Sequence, residues 1–173
     1  MSDHGLPSAN GRLKTKVAAV LRRAPFLLEV AARLWRVHIP RFTAGVAGVI
    51  VNEAGAILLV EHVFHVEYPW GLPGGWVGRR EDPRDALVRE LMEELRLPVG
   101  INRLLFAAAD PERNHLDFAY RGRPEGEIRR LSSEILEFGW FDPAELPRLS
   151  TFHQLAVEAA FPELAGEARH GIR

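Results

Sequence analysis

The sequence predicts an α+β, or mixed α/β, chain. Three observations carry this. Short β-type segments bounded by turn residues lie on both sides of one strongly marked helix. That helix has both a start and a stop signal. A second apolar-periodic stretch then closes the pattern near the C-terminus. At 173 residues, with 47% hydrophobic and 26% charged content, the chain has the composition of a globular protein with room for a real core.

From the N-terminus, Leu13 to Val37 alternates cationic residues with Val17, Val20, Leu21, Leu27, Val30, Leu34 and Val37. This predicts one or two amphipathic helices, broken or kinked at Pro25. Met1 to Arg41 holds eight Lys/Arg against two Asp/Glu, a net +6, and the remainder holds 14 against 21, a net −7. The basic helices are read as packing on the rest of the protein or on a homodimer partner, with their charges solvated. Contact with an anionic membrane or nucleic acid is the competing reading. We divide the chain into this extension at 1–40, a main domain at 41–163 and a poorly ordered tail at 164–173.

Phe42 to Val51 reads as a strand, Asn52-Glu53-Ala54-Gly55 as a turn and Ala56 to Val63 as a second strand, so the two suggest a hairpin. Tyr68 to Gly75 reads as a rigid loop or short strand. Asp82 is placed to cap a helix, with Pro83 at its first position, Asp85 at the positive end of the dipole, and an end near Leu95 to Arg96 ahead of Pro98. Strands follow at Leu104 to Ala109, Leu116 to Tyr120 and Ile135 to Phe141. A final helix spans Phe152 to Phe161, for which Thr151-x-x-Gln154 suggests a capping box.

The chain has no cysteine, which excludes a disulfide framework and a thiolate metal site and fits a reducing compartment. The longest apolar runs, Val46 to Val51 and Ala56 to Val60, are too short to span a bilayer, and Met1 to Gly11 lacks a secretory h-region. A cytoplasmic location is the expectation.

The central helix carries the chemistry. At about 100° per residue, Glu93 and Glu94 fall roughly 60° and 40° either side of Glu90, while Val88, Leu91, Met92 and Leu95 cluster opposite. One face packs, and the other is expected to hold three like charges in solvent. Such charges repel, and a divalent cation turns the repulsion into coordination, since Mg²⁺ and Mn²⁺ favour carboxylate oxygens.

Gly75 to Leu97 resembles the Nudix box, Gly-x5-Glu-x7-Arg-Glu-U-x-Glu-Glu-x-Gly-U, with U a bulky aliphatic. Gly75, Glu81, Arg89, Glu90, Leu91, Glu93, Glu94 and Leu97 all stand at the required spacing. Arg96 replaces the glycine near the end of the box, and Arg80 stands where many members have a second glycine. The resemblance implies a mixed sheet between helices and a loop–helix–loop at the box. It implies metal-dependent cleavage of a pyrophosphate bond in a nucleotide substrate, with Mg²⁺ or Mn²⁺ as cofactor. Glu90, Glu93, Glu94 and the Gly74 carbonyl are the implied metal ligands, and Glu90 is either a third ligand or the base that orients water. Arg89 and Glu81 are read as supports that fix the loop on the helix.

Outside the box, Glu134 is a candidate catalytic carboxylate, with Glu137 as its competitor. Arg121 and Arg123, with Arg129 and Arg130, flank the turn at Gly122 to Gly126 and are candidates to clamp phosphates. Tyr68 and Trp76 are candidates to stack on a nucleobase, as is Trp70. His62, His65 and His115 show no metal spacing and are weak candidates for substrate contact. The box does not discriminate among ADP-ribose, nucleotide sugars, nucleoside triphosphates, dinucleoside polyphosphates and capped RNA. A non-catalytic, nucleotide-sensing or partner-binding module of the same fold is the second class of function, left open by Arg80 and Arg96.

Overall fold

The computed structural model describes residues 41–64 and 67–162, together with Phe26, Glu29, Val30 and residues 33–35. The kink expected at Pro25, the C-terminal tail and His65 lie outside the described residues. The chain divides into two units, residues 1–41 and 42–173. In the first, the described residues from Phe26 to Trp35 are helical.

The second unit holds strands β1 (Thr43–Ile50), β2 (Ile57–His62), β3 (Trp70–Gly71) and β4 (Gly74–Trp76), helix α1 (Pro83–Leu95), strands β5 (Val99–Asp110), β6 (His115–Pro124) and β7 (Ile135–Phe141), and helix α2 (Thr151–Ala160). The strands form two sheets, ordered β4-β1-β6-β5 and β3-β2-β7. The β1–β6 pair is parallel and the other pairs are antiparallel. The α+β expectation therefore holds, as a mixed sheet with few helices.

The expected β1–β2 hairpin does not form. A single bridge, Val51 to Ile57, joins the two segments, and each strand then enters its own sheet. Burial explains the separation. Val46, Ala47, Val49 and Ile50 on β1 and Ile57 to Val60 on β2 are all at most 4% exposed. Strands apolar on both faces sit inside sheets covered on both sides. The alternation of side chains along a strand then sorts them. Val46, Ile50, Leu58 and Val60 join Leu87, Leu91 and Leu95 of α1, while Ala47, Val49, Ile57 and Leu59 join Ala156, Val157 and Ala160 of α2.

Helix α1 begins as its sequence requires. Asp82 is extended (φ −73°, ψ 136°) and its carboxylate accepts from the Arg84 amide at 2.8 Å, with Pro83 at the first helical position. The helix ends at Arg96, which takes the left-handed conformation (φ 52°, ψ 35°) favoured by the glycine it replaces. Arg80, the other departure from the box, is left-handed too, at φ 62°. Both arginines take a backbone shape that glycine adopts at little cost. The last carbonyls of α1 are covered from outside the helix: the amides of Arg129 and Ser132 donate to Leu95 O and Glu94 O at 3.2 and 2.8 Å. Helix α2 starts one residue earlier than its sequence suggested. Ser150 is the cap, its hydroxyl accepting from the His153 amide, and Gln154 donates to Leu149 O instead of closing a box with Thr151.

Left-handed backbone costs a side-chain-bearing residue about 1 kcal/mol, partly balanced by the extra freedom glycine has when unfolded. Arg96→Gly is expected to stabilise the protein by a few tenths to about 1 kcal/mol, raising Tm by a few degrees. Thermal denaturation of the variant checks this, and an unchanged or lowered Tm contradicts it.

Candidate functional site

Arg89 organises the loop between β4 and α1. Its Nε and Nη2 donate to the two Glu81 oxygens at 2.8 and 3.0 Å, and Nη2 also donates to the Trp76 carbonyl at 2.9 Å. Its Nη1 donates to Glu90 Oε1 at 2.9 Å and to Glu93 Oε2 at 3.3 Å. Glu81 in turn accepts from the Gly78 amide at 2.6 Å. The Arg89 guanidinium and then the Gly78 amide hold the Glu81 carboxyl down at about 2, and Glu81 raises Arg89 further above its already high value. These contacts tie the loop before α1 to the helix.

Two glycines bring β4 against the helix. A Cβ on Gly75 would collide with the Glu90 carboxylate, and one on Gly74 would collide with the Val46 carbonyl. The Gly75 backbone therefore lies directly over Glu90, Gly74 packs closely on β1, and the Gly74 amide faces Glu94.

Glu94 departs from the expected solvent-facing triad. It is 8% exposed. The last turn of α1 is closed in by the segment whose Ser132 amide binds Glu94 O, so a helical wheel, blind to that segment, misplaces it. Oε2 is buried and has no hydrogen-bond partner. Burial is the first reason its carboxyl is pushed up to about 8, the neighbouring Glu90 charge the second. The Gly74 amide opposes them, and the charges of Glu134 and Glu93 add to the rise. Glu93 itself points outward, with its side chain 59% exposed. Glu134, in the turn before β7, lies near enough to act on Glu94, whereas Glu137 is paired in register with Glu61 across β2 and β7. In the chain as it stands Arg89 takes up Glu90 and Glu93. No three acidic or histidine side chains among the described residues are arranged to hold an ion.

On the other face of the sheet lies a cleft of two adjoining cavities. The inner one, about 220 Å³, runs along Gly74, Gly75 and Trp76 to His115 and Asp117. The outer one, about 430 Å³, is walled by Tyr68, Trp70 and Phe152. Asp117, Phe152 and His153 line both. His115 is fixed on both ring nitrogens, by Thr43 Oγ1 at 2.7 Å and by Asp117 Oδ1 at 3.0 Å, and its ring meets Trp76 edge-on at 5.2 Å. The Leu72 amide donates to His153 Nδ1 at 3.3 Å.

Trp76 and Tyr68 line the cleft, Tyr68 beneath the Arg148 guanidinium at 5.1 Å, and His62 lines the inner cavity. Arg121 and Arg123 do not reach it. Arg121 projects toward α2, where it donates to Ala160 O at 2.9 Å and covers the Phe161 ring at 5.1 Å. Arg123 lies further along the same strand, 3.9 Å from Glu125, beside a separate cavity. The loop composition suggested a phosphate clamp, but the strand runs on to Pro124 and carries both arginines away from α1. Asp117, Phe152 and His153, which line both cavities, were not singled out from the sequence. The available signal was the His115-x-Asp117 spacing, which places both side chains on one strand face.

Comparison with known proteins adds a family. A model described as the NUDIX domain matches residues 41–160. A MutT-like protein of Streptomyces ambofaciens is 31% identical over 107 residues, 62% of this chain and 68% of the relative. Among solved structures, a MutT NUDIX hydrolase from Burkholderia pseudomallei is 29% identical, with a TM-score of 0.58 over 69% of this chain and 98% of that one. An ADP-ribose pyrophosphatase from Streptococcus suis is 26% identical, with a TM-score of 0.57 over 71% and 93%.

A carboxyl pushed above its unfolded value favours the fold while protonated. The contribution of Glu94 is therefore complete below about 4.5, its unfolded value, and lost as pH rises through about 8. Metal-free protein is expected to lose stability between pH 5 and pH 8. Glu94→Gln should abolish most of that loss and exceed the wild type at pH 8 by an amount on the order of a few kcal/mol. Denaturation in chelator at both pH values measures it, and parallel pH profiles contradict it.

Proposed function

We propose that this chain, which belongs to the NUDIX family and is a Nudix hydrolase, cleaves the pyrophosphate bond of a nucleoside diphosphate linked to a further group, with the help of Mg²⁺ or Mn²⁺. The observation that carries the metal reading is Glu94: a buried carboxylate oxygen with no hydrogen-bond partner, beside Glu90 and under the Gly74–Gly75 backbone. A hard cation relieves what makes Glu94 unfavourable, both its desolvation and its repulsion by Glu90. All the donors are oxygens, the set Mg²⁺ and Mn²⁺ prefer. Glu90, Glu93, Glu94 and the Gly74 carbonyl would hold the ion. Bound there, a divalent cation supplies positive charge to the phosphates and lowers the pKa of water.

The remaining work falls to the chain's own residues. Arg89 ties the loop to the helix through Glu81 and Trp76 O, so the loop keeps its place as Glu90 and Glu93 turn from Arg89 toward the ion. Gly74 and Gly75 leave the phosphates an approach without side chains. Glu134, whose charge already reaches Glu94, is the candidate base that orients the attacking water. The cleft beyond Trp76 receives the nucleoside. We take residues 41–163 as the catalytic domain, with 1–40 an extension. No helix among the described residues is long and apolar enough to cross a membrane.

The Streptococcus suis structure is named for ADP-ribose, which makes ADP-ribose a first substrate to try beside nucleotide sugars and nucleoside triphosphates. Activity is expected with Mg²⁺ or Mn²⁺, none in chelator, and recovery when metal is restored. Glu93→Gln and Glu94→Gln should each lower kcat by two orders of magnitude or more, on the scale that removing charge stabilisation commonly costs. Wild-type kcat in both variants, or full activity in chelator, contradicts the reading.

A further inference from the structure

Asp117 stands where the two cavities of the cleft meet, lining both. It is held there by construction. His115 Nε2 lies 3.0 Å from Asp117 Oδ1, and Thr43 fixes the other ring nitrogen at 2.7 Å. The pair passes over Gly45, where a Cβ would sit 2.6 Å from Asp117 Oδ1 and 3.2 Å from His115 Nε2. Strand β1 thus has a glycine at the point where a side chain would displace the carboxylate. The hydrolase chemistry on α1 uses none of these residues, since Asp117 and His115 face the other side of the sheet.

The cleft has an order. Its inner end lies along Gly74, Gly75 and Trp76, beside the acidic helix, and its outer end is walled by Tyr68 and Trp70, with Phe152 lining both. A nucleotide has an order too: phosphates, then ribose, then base. With the phosphates at the glycines and a flat base against the aromatic walls, the group at the junction meets the sugar. An ionised carboxylate only accepts hydrogen bonds. A ribose offers it two adjacent hydroxyl donors, a 2′-deoxyribose one. Acidic residues are used in this way on the 2′-hydroxyl in other nucleotide-binding folds.

Resting on the hydrolase reading for the position of the phosphates, the geometry points to Asp117 as the residue that selects a ribonucleoside over a 2′-deoxyribonucleoside substrate, with His115 as the positioning residue that aims it. This assigns the enzyme to ribonucleoside diphosphate compounds in preference to their 2′-deoxy forms.

Isothermal titration calorimetry tests it in chelator, where no turnover occurs, on the full chain with ADP against 2′-deoxy-ADP and GDP against 2′-deoxy-GDP. Wild-type protein is expected to bind both ribo forms on the order of ten-fold tighter, the scale of one charge-assisted hydrogen bond. Asp117→Asn should bring each ratio to within about two-fold. His115→Gln, which leaves Asp117 in place but unaimed, should reduce the ratios part of the way, and it carries the test should the Asn variant not fold. Equal wild-type affinity for ribo and deoxy forms, or no binding at all, overturns the assignment. So does a ratio that survives both substitutions, or one in which Asp117→Asn alters only the preference between ADP and GDP. Hydrolysis assayed separately with Mg²⁺ keeps the two readings apart: turnover without sugar discrimination overturns the role of Asp117 alone, and sugar-selective binding without turnover overturns hydrolysis alone.

Discussion

The site depends on one cation. Arg89 is a planar fork with five donors, and this structure uses them on Glu81, Glu90, Glu93 and the Trp76 carbonyl. These partners come from the loop and from α1. The loop is therefore tied to the helix by charge-assisted, partly bidentate bonds, which a lysine ammonium could not reproduce in the same geometry. With the loop tied, Gly74 and Gly75 lie over Glu94 and Glu90, and a buried carboxylate with an unmatched oxygen persists in an otherwise apolar helix base. Strain of that kind is retained where a ligand relieves it.

The sheet separates the two halves of the proposed site. Alternation along β1, β2 and β6 sends one set of side chains toward α1 and the other toward α2. The carboxylates belong to the first face, the cleft with His115, Asp117 and His153 to the second. They meet only at β4, an edge strand whose first two residues are glycine. On the reading proposed above, a nucleotide lays its phosphates across those glycines and its nucleoside in the cleft. Both arginines that break the sequence pattern, Arg80 and Arg96, take left-handed backbone. Each arginine therefore carries local backbone strain.

Much of this was legible in the residues. The start of α1 at Asp82-Pro83, its stop at Arg96, the Arg89–Glu81 tie and the strand Ile135–Phe141 follow from local rules of capping, spacing and alternation, which depend on near neighbours. The misses depend on distant ones. Glu94 lies on the polar side of its helix by periodicity, yet the segment around Ser132 covers it. The Phe42–Val63 hairpin was the short-range choice, but two strands apolar on both faces each needed partners from later in the chain. Arg121 looked like a loop cation because a Gly/Pro-rich turn follows it, whereas its side chain closes the C-terminus of α2. His153 and Phe152 enter the cleft only because α2 packs back on the sheet, which no local pattern announces.

The central claim is that Glu94 is buried and unmatched in order to bind a cation. Anomalous diffraction from crystals grown with Mn²⁺ measures this most directly. The account predicts a manganese peak with Glu94 Oε2 among its ligands, at an oxygen distance of about 2–2.5 Å, together with Glu90 or Glu93. Manganese seated elsewhere, with Glu94 Oε2 still without a partner, contradicts it.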